Sequence, residues 1–206
     1  MLRIALTGGI ATGKSHVLDR CRRRGVPCLD ADDLAHGVMA PGTHATAAIV
    51  ERFGDVLDAS GAVDRRKLAP IVFVDAGARR DLEAIVHPAV YRAIAAGLRG
   101  FELIGGSPLA IVAIPLLHET GHGMDFAKVI ATTCSEAMQL SRLLDRGLSV
   151  DAARQRLAAQ LPAAEKARRA DHVIRTDGSF EETDAQVDAL LAELIRVSNQ
   201  STPPNR

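Results

Sequence analysis

Residues 2–16 read "LRIALTGGIATGKSH". A short apolar run enters glycines, and a polar stretch with helical character follows. Gly8, Gly13, Lys14 and Ser15 fit the spacing G-x-x-x-x-G-K-[ST]. This segment constrains the fold more than any other. The apolar run predicts a buried strand, and Lys14 to about Arg24 predicts a helix stopped by Gly25. Glycines between them let backbone N–H groups turn inward around a small anion. The helix N-terminus adds partial positive charge, worth about 0.3–1 kcal/mol even when exposed. The loop therefore predicts a nucleotide-phosphate site lined by Gly8, Gly9, Ile10, Ala11, Thr12, Gly13, Lys14, Ser15 and His16. Lys14 would reach the outer phosphates, and the Ser15 hydroxyl would face Mg²⁺. Ala11 and Thr12 stand where some such loops carry Gly and Ser, and His16 stands where Thr is common. His16 reads as helix surface.

The rest of the chain has to supply strands that flank the first. "VPCL" at 26–29 ends at Asp30, and further apolar runs lie at 109–114, 128–132 and 171–175. Five such strands separated by helices predict a doubly wound, parallel α/β sheet of the P-loop NTPase class. The core would comprise residues 1–32, 106–134 and 170–198. The stretch from about 33 to 105 is too long for a plain crossover and reads as an inserted helical subdomain. Within it, "HATAAIVERFG" ends at Gly54, and "DRRKLAPIVF" opens on a capping Asp64 with a break or kink at Pro70. "ARRDLEAIVHP" closes at His87–Pro88, and "AVYRAIAAGLRGF" follows as a separate helix. Capped helices over 135–147 and from Ser149 to about Gln160 lie in a helical lid, about 135–169. The last helix opens with the capping pair Ser179 and Glu182, and residues 199–206 read as a disordered tail.

Composition excludes several functions. The 206 residues carry 25 basic and 25 acidic side chains and no Trp. Such a balance does not suit a protein that coats a polyanion, and base-stacking platforms lack their aromatics. Cys21, Cys28 and Cys134 show no zinc spacing and read as buried thiols. No apolar run approaches the ~18 residues of a membrane span. With six residues ahead of the loop, no leader is expected, and the expected setting is cytoplasmic.

Among proteins with such a loop, guanine-specific switches need N-K-x-D, but the asparagines here are Asn199 and Asn205. A motor ATPase wants a strand ending in a carboxylate, whereas the third strand runs into "AIPLLHE". A small-molecule kinase fits better. Its acceptor chemistry falls on "LDADDLAH", where Asp30 and Asp32 follow the second strand at the sheet edge that binds ligands. A carboxylate there can take a hydroxyl proton or orient magnesium, directly or through water, and the same pair can cap a helix at 33–39.

The ordered series "LTGGIATGKS", "LDADDLAH", "PGTHA", "DRRKL", "HP", "IPLLHE", "QLSRLLDR", "RLAAQLP" and "ADHVI" resembles the dephospho-CoA kinases over residues 2 to 178. The resemblance implies transfer of the ATP γ-phosphoryl group to the ribose 3′-hydroxyl of dephospho-CoA, giving CoA and ADP. It implies ATP as co-substrate, Mg²⁺, a small-molecule acceptor, and neither nucleic acid nor membrane as partner. A monomer is expected, with weak self-association as the alternative. It makes Asp32 the general base or hydroxyl-orienting carboxylate, and Arg142 the arginine that approaches ATP from the lid, with Arg146 as second candidate. His87 and Arg65 become contacts to the CoA moiety. Read from sequence alone, Arg142 is also a solvated helix residue, His87 a helix-end hydrogen bonder and Arg65 a surface charge. Two positions depart from the family pattern. Thr176 stands where Asn is usual, so only a backbone contact to adenine would survive there. His118 replaces a frequent apolar or aromatic residue. A kinase for another small alcohol and a nucleotide-binding regulator without chemistry are the rival readings.

Overall fold

The computed structural model describes residues 1–119 and 126–201. In chain order the elements are β1 (Leu2–Gly8), α1 (Lys14–Arg23), β2 (Cys28–Asp30), α2 (Ala31–Val38), α3 (His44–Phe53), α4 (Arg65–Val74) and α5 (Ala76–Ile104). Then come β3 (Leu109–Ala113), β4 (Lys128–Thr133), α6 (Glu136–Asp145), α7 (Val150–Ala158), α8 (Ala163–Arg168), β5 (His172–Arg175) and α9 (Phe180–Ser201). The strands form a sheet in the order β2-β3-β1-β4-β5. β1 runs parallel to β3 and β4, with Leu6 opposite Ala113 and Ile130, and β4 runs parallel to β5. The five-stranded α/β fold expected from the apolar runs is present.

The chain divides into two compact units, Met1–Leu29 with Gly100–Arg206, and Asp30–Arg99. In the first, Ile4 and Leu6 of β1 and Ile111 of β3 bury one face of the sheet against Val17, Leu18 and Cys21 of α1 and Val187, Leu191 and Leu194 of α9. Each such side chain contributes about 1.5–3 kcal/mol. Because strand side chains alternate, Ala5, Ala110, Val112 and Ala131 point to the opposite face, where they too are buried. Burial on both faces is why these strands read as continuous apolar runs. α9 opens with the expected capping box: Ser179 N donates to Glu182 Oε2 at 2.9 Å, and Glu182 N to Ser179 Oγ at 3.2 Å. α9 carries the chain to Ser201, so residues 199–201 of the expected tail are helical. The rest of the tail lies outside the described residues.

The second unit is helical around Met39, Ile49, Val56, Val63 and Leu68. Neither a break at Pro70 nor a helix end at Pro88 is found here. Pro70 lies inside α4 and does not end it; the break comes at Asp75, whose carboxylate accepts from Gly77 N at 2.6 Å and so starts the next helix. His87–Pro88 does not close a helix either, because α5 runs unbroken for 29 residues with Pro88 inside it. Before the proline, Leu82, Ile85 and Val86 pack on the unit's core; after it, Val90, Ile94 and Leu98 are buried. Packing on both sides outweighs the roughly 3 kcal/mol that an internal proline costs.

Candidate active site

The glycine loop spans the gap from β1 to α1. Gly13 has φ 81° and caps α1 without a side-chain hydrogen bond, and a helix N-terminus of this kind suits an anion. Ala11 also takes a left-handed φ of 60°, a conformation that strains a residue with a Cβ. Gly8 is required by contact: a Cβ there would lie 2.1 Å from Thr132 Oγ1 and 2.6 Å from Thr12 Oγ1.

Side chains distant in sequence hold this loop. Thr12 Oγ1 donates to the Gly9 carbonyl at 2.7 Å and meets Thr132 Oγ1 at 2.7 Å. From α6, Gln139 Nε2 donates to the Ile10 carbonyl at 2.6 Å and Arg142 Nη1 to the Ala11 carbonyl at 3.1 Å. Arg142 also donates to Thr176, through Nη1 to Oγ1 at 3.1 Å and through Nη2 to the carbonyl at 2.6 Å. Thr176 Oγ1 in turn reaches the Thr12 carbonyl at 3.0 Å. After α7, the Gln160 side chain accepts from Ile10 N at 3.0 Å. The Ala11 methyl packs with Leu143 and Ala153, which joins the loop to α6 and α7. A cleft of about 490 Å³ opens beside it, lined among others by Gly9, Ile10, Cys134, Gln139, Arg154 and Leu157. Burial pushes the Cys134 thiol above its ordinary range, against the pull of the Arg142 guanidinium.

Lys14 and Ser15 form the first residues of α1, with Ser15 exposed. His16 is tied to α9: Nε2 lies 2.8 Å from Asp184 Oδ1 and its ring is 4.6 Å from that of Phe180. Arg142 belongs to the loop's supports, while Arg146 is the exposed C-cap of α6. The other candidates belong to the second unit. Asp30 caps α2, its Oδ1 accepting from Asp32 N at 2.9 Å. Asp32 is exposed in the first turn of α2, and its carbonyl faces His36 Nδ1 at 2.8 Å. Arg65 is exposed at the start of α4, and His87 is half-buried in the middle of α5.

The structure brings together residues that motif reading passed over. Gln139 sits one turn before Arg142, so both face the loop from one side of α6. Gln160 lies in the quoted run "RLAAQLP" without an assigned role, and Thr132 is a strand residue with no motif of its own. Only the helical spacing of Gln139 and Arg142 carried a signal.

The sequence model of the dephospho-CoA kinase family matches residues 2–182. This chain belongs to that family. The dephospho-CoA kinase of Anaeromyxobacter dehalogenans is 46% identical over 193 residues, which cover 93% of this chain and 91% of that protein. The dephospho-CoA kinase of Geobacillus kaustophilus is 42% identical over 194 residues, covering 93% and 96%. Among solved structures, one from Thermus thermophilus aligns with a TM-score of 0.80 at 34% identity, over 94% of this chain and 97% of that one.

Proposed function

We propose that this dephospho-CoA kinase family member transfers the γ-phosphoryl group of ATP to the 3′-hydroxyl of dephospho-CoA, yielding CoA and ADP. One observation carries the reading: a glycine loop, with its carbonyls held from behind, at the start of α1 in a chain that the family matches over residues 2–182. Phosphoryl transfer spreads negative charge over oxygens, so catalysis consists mainly of positioning and electrostatic stabilisation. The loop N–H groups and Lys14 hold the outer phosphates. The hydroxyl of Ser15 is a hard oxygen donor of the kind that suits Mg²⁺. When bound there, Mg²⁺ neutralises charge on the phosphate oxygens.

Asp32 accepts the proton of the attacking hydroxyl. Its support is position: it follows β2 by two residues, at the strand end where α/β sheets bind ligands, and its side chain is exposed. Asp30 orients it through the cap on Asp32 N, and the Asp30 carboxylate would also help to hold Mg²⁺, directly or through water. Arg142 supports the loop and adds positive charge behind it. Arg65 and His87 contact the CoA moiety from the helical unit. Residues 135–169 act as the lid, and the enzyme works as a cytoplasmic monomer.

The test is a coupled assay with ATP, Mg²⁺ and dephospho-CoA, with the product identified by mass. We expect one ADP and one CoA per turnover. Phosphorylation of another alcohol, with dephospho-CoA untouched, overturns the reading.

A further inference from the structure

Four consecutive loop carbonyls, those of Gly9, Ile10, Ala11 and Thr12, each accept from a side-chain donor: Thr12 Oγ1, Gln139 Nε2, Arg142 Nη1 and Thr176 Oγ1. A trans peptide points its N–H opposite to its C=O. Holding these carbonyls therefore sets the direction of the next residue's N–H. The Ile10 carbonyl on Gln139 aims the Ala11 N–H, and the Thr12 carbonyl on Thr176 aims the Gly13 N–H. The Ala11 carbonyl on Arg142 belongs to the peptide whose N–H, that of Thr12, donates back to the Gly9 carbonyl at 3.3 Å, so Arg142 braces the turn on which the Ala11 and Gly13 N–H groups are set.

We propose that Gln139, Arg142 and Thr176 are positioning residues for phosphate binding, acting through the backbone of the loop. This rests on the reading of the loop as a nucleotide-phosphate site. Thr176 is the central member. A hydroxyl has one proton and accepts as well. The Thr176 hydroxyl has the Thr12 carbonyl at 3.0 Å and the Thr133 carbonyl at 3.4 Å as acceptors, the Thr12 contact being the shorter, and accepts from Arg142 at 3.1 Å. It is 4% exposed, so water does not replace it. Its methyl also sets the distance of Gly13, where a Cβ would lie 3.2 Å from Thr176 Cγ2. Valine has the same shape and keeps that packing but loses the hydroxyl. Serine keeps the hydroxyl and loses the methyl.

The experiment compares Thr176→Val with Thr176→Ser, with inorganic tripolyphosphate and ATP as calorimetric probes and steady-state kinetics alongside. Thr176→Val is expected to weaken tripolyphosphate and ATP binding about tenfold. KM for ATP should rise in parallel, KM for dephospho-CoA should stay within about twofold, and Thr176→Ser should retain most of the wild-type affinity. Should Thr176→Val fail to fold, Gln139→Leu is read in the same way, since it removes the donor to the Ile10 carbonyl. A folded variant that binds tripolyphosphate as the wild type does overturns the proposal. So does a serine variant that loses as much as the valine variant. The two readings separate cleanly. Tripolyphosphate binding without CoA formation by the wild type counts against the kinase assignment alone. Normal turnover with unchanged binding by the valine variant counts against the positioning role alone.

Discussion

Lys166 is wholly buried, with Nζ 2.7 Å from Glu119 Oε1 and 2.6 Å from the Pro115 carbonyl. The same Pro115 carbonyl accepts from Thr7 Oγ1 at 3.3 Å, so one buried ammonium ties α8 to the ends of β1 and β3. Burial raises the Glu119 pKa, but the Lys166 ammonium and the Leu161 N–H outweigh it and hold the carboxyl below its ordinary range. Glu119→Gln leaves the ammonium facing a neutral amide. We expect a loss of about 1–3 kcal/mol in urea unfolding. The Glu119→Gln/Lys166→Met double variant should lose less than the sum of the two single variants, read as a double-mutant cycle.

Gly8→Ala places a methyl against Thr132 Oγ1 and Thr12 Oγ1. Overpacking of this kind costs about 1–3 kcal/mol, and here it also distorts the loop. Expected are a lower melting temperature and ATP binding weakened more than about tenfold. Removing the obstructing oxygen with Thr132→Ala in the same chain should recover part of the melting temperature. No recovery would place the strain elsewhere.

Asp32→Ala tests proton handling. Turnover should fall roughly 10²–10⁴-fold while ATP affinity, measured by calorimetry, changes little. Unchanged turnover would remove Asp32 from the reaction.

Asp188 gives a pH dependence. Hydrogen bonds from Arg24 and Arg20, including Arg20 Nε at 2.9 Å and Arg24 Nε at 2.7 Å, hold its carboxyl well below the usual carboxylate range. The unfolded chain protonates near pH ~3.9, before the folded one. The contribution is therefore complete above that range and is lost as pH falls below it toward the folded value. Asp188→Asn should lower stability at pH 7 and flatten its decline between about pH 4 and pH 2, measured by urea titration at each pH.

The lid assignment predicts slower hydrogen exchange over residues 142–165 when ATP and dephospho-CoA are added together, because phosphoryl transfer has to exclude water. Identical exchange with and without both ligands would refute it.

Much of this protein was legible before any fold was known. Strands buried on both faces leave unbroken apolar runs, so β1, β3 and β4 stand out. Helix starts announce themselves through residues that satisfy orphan N–H groups, as Asp64 and the Ser179–Glu182 pair do. The loop spacing is local chemistry, and local chemistry survives in the order of residues.

What tertiary structure decided lies at long range. Pro88 reads as a helix end because its ring excludes a hydrogen bond, yet packing on either side keeps α5 whole. A lysine is rarely buried without partners, and the burial of Lys166 is explained by Glu119 and the Pro115 carbonyl, which lie far from it in sequence. The partners of the loop carbonyls, Gln139, Arg142 and Thr176, stand more than a hundred residues from the groups they hold. Periodicity tells which face of a helix is turned inward but not which backbone atom it will meet. That pairing exists only once the sheet order β1-β4-β5 has set α6 and the end of β5 beside the loop.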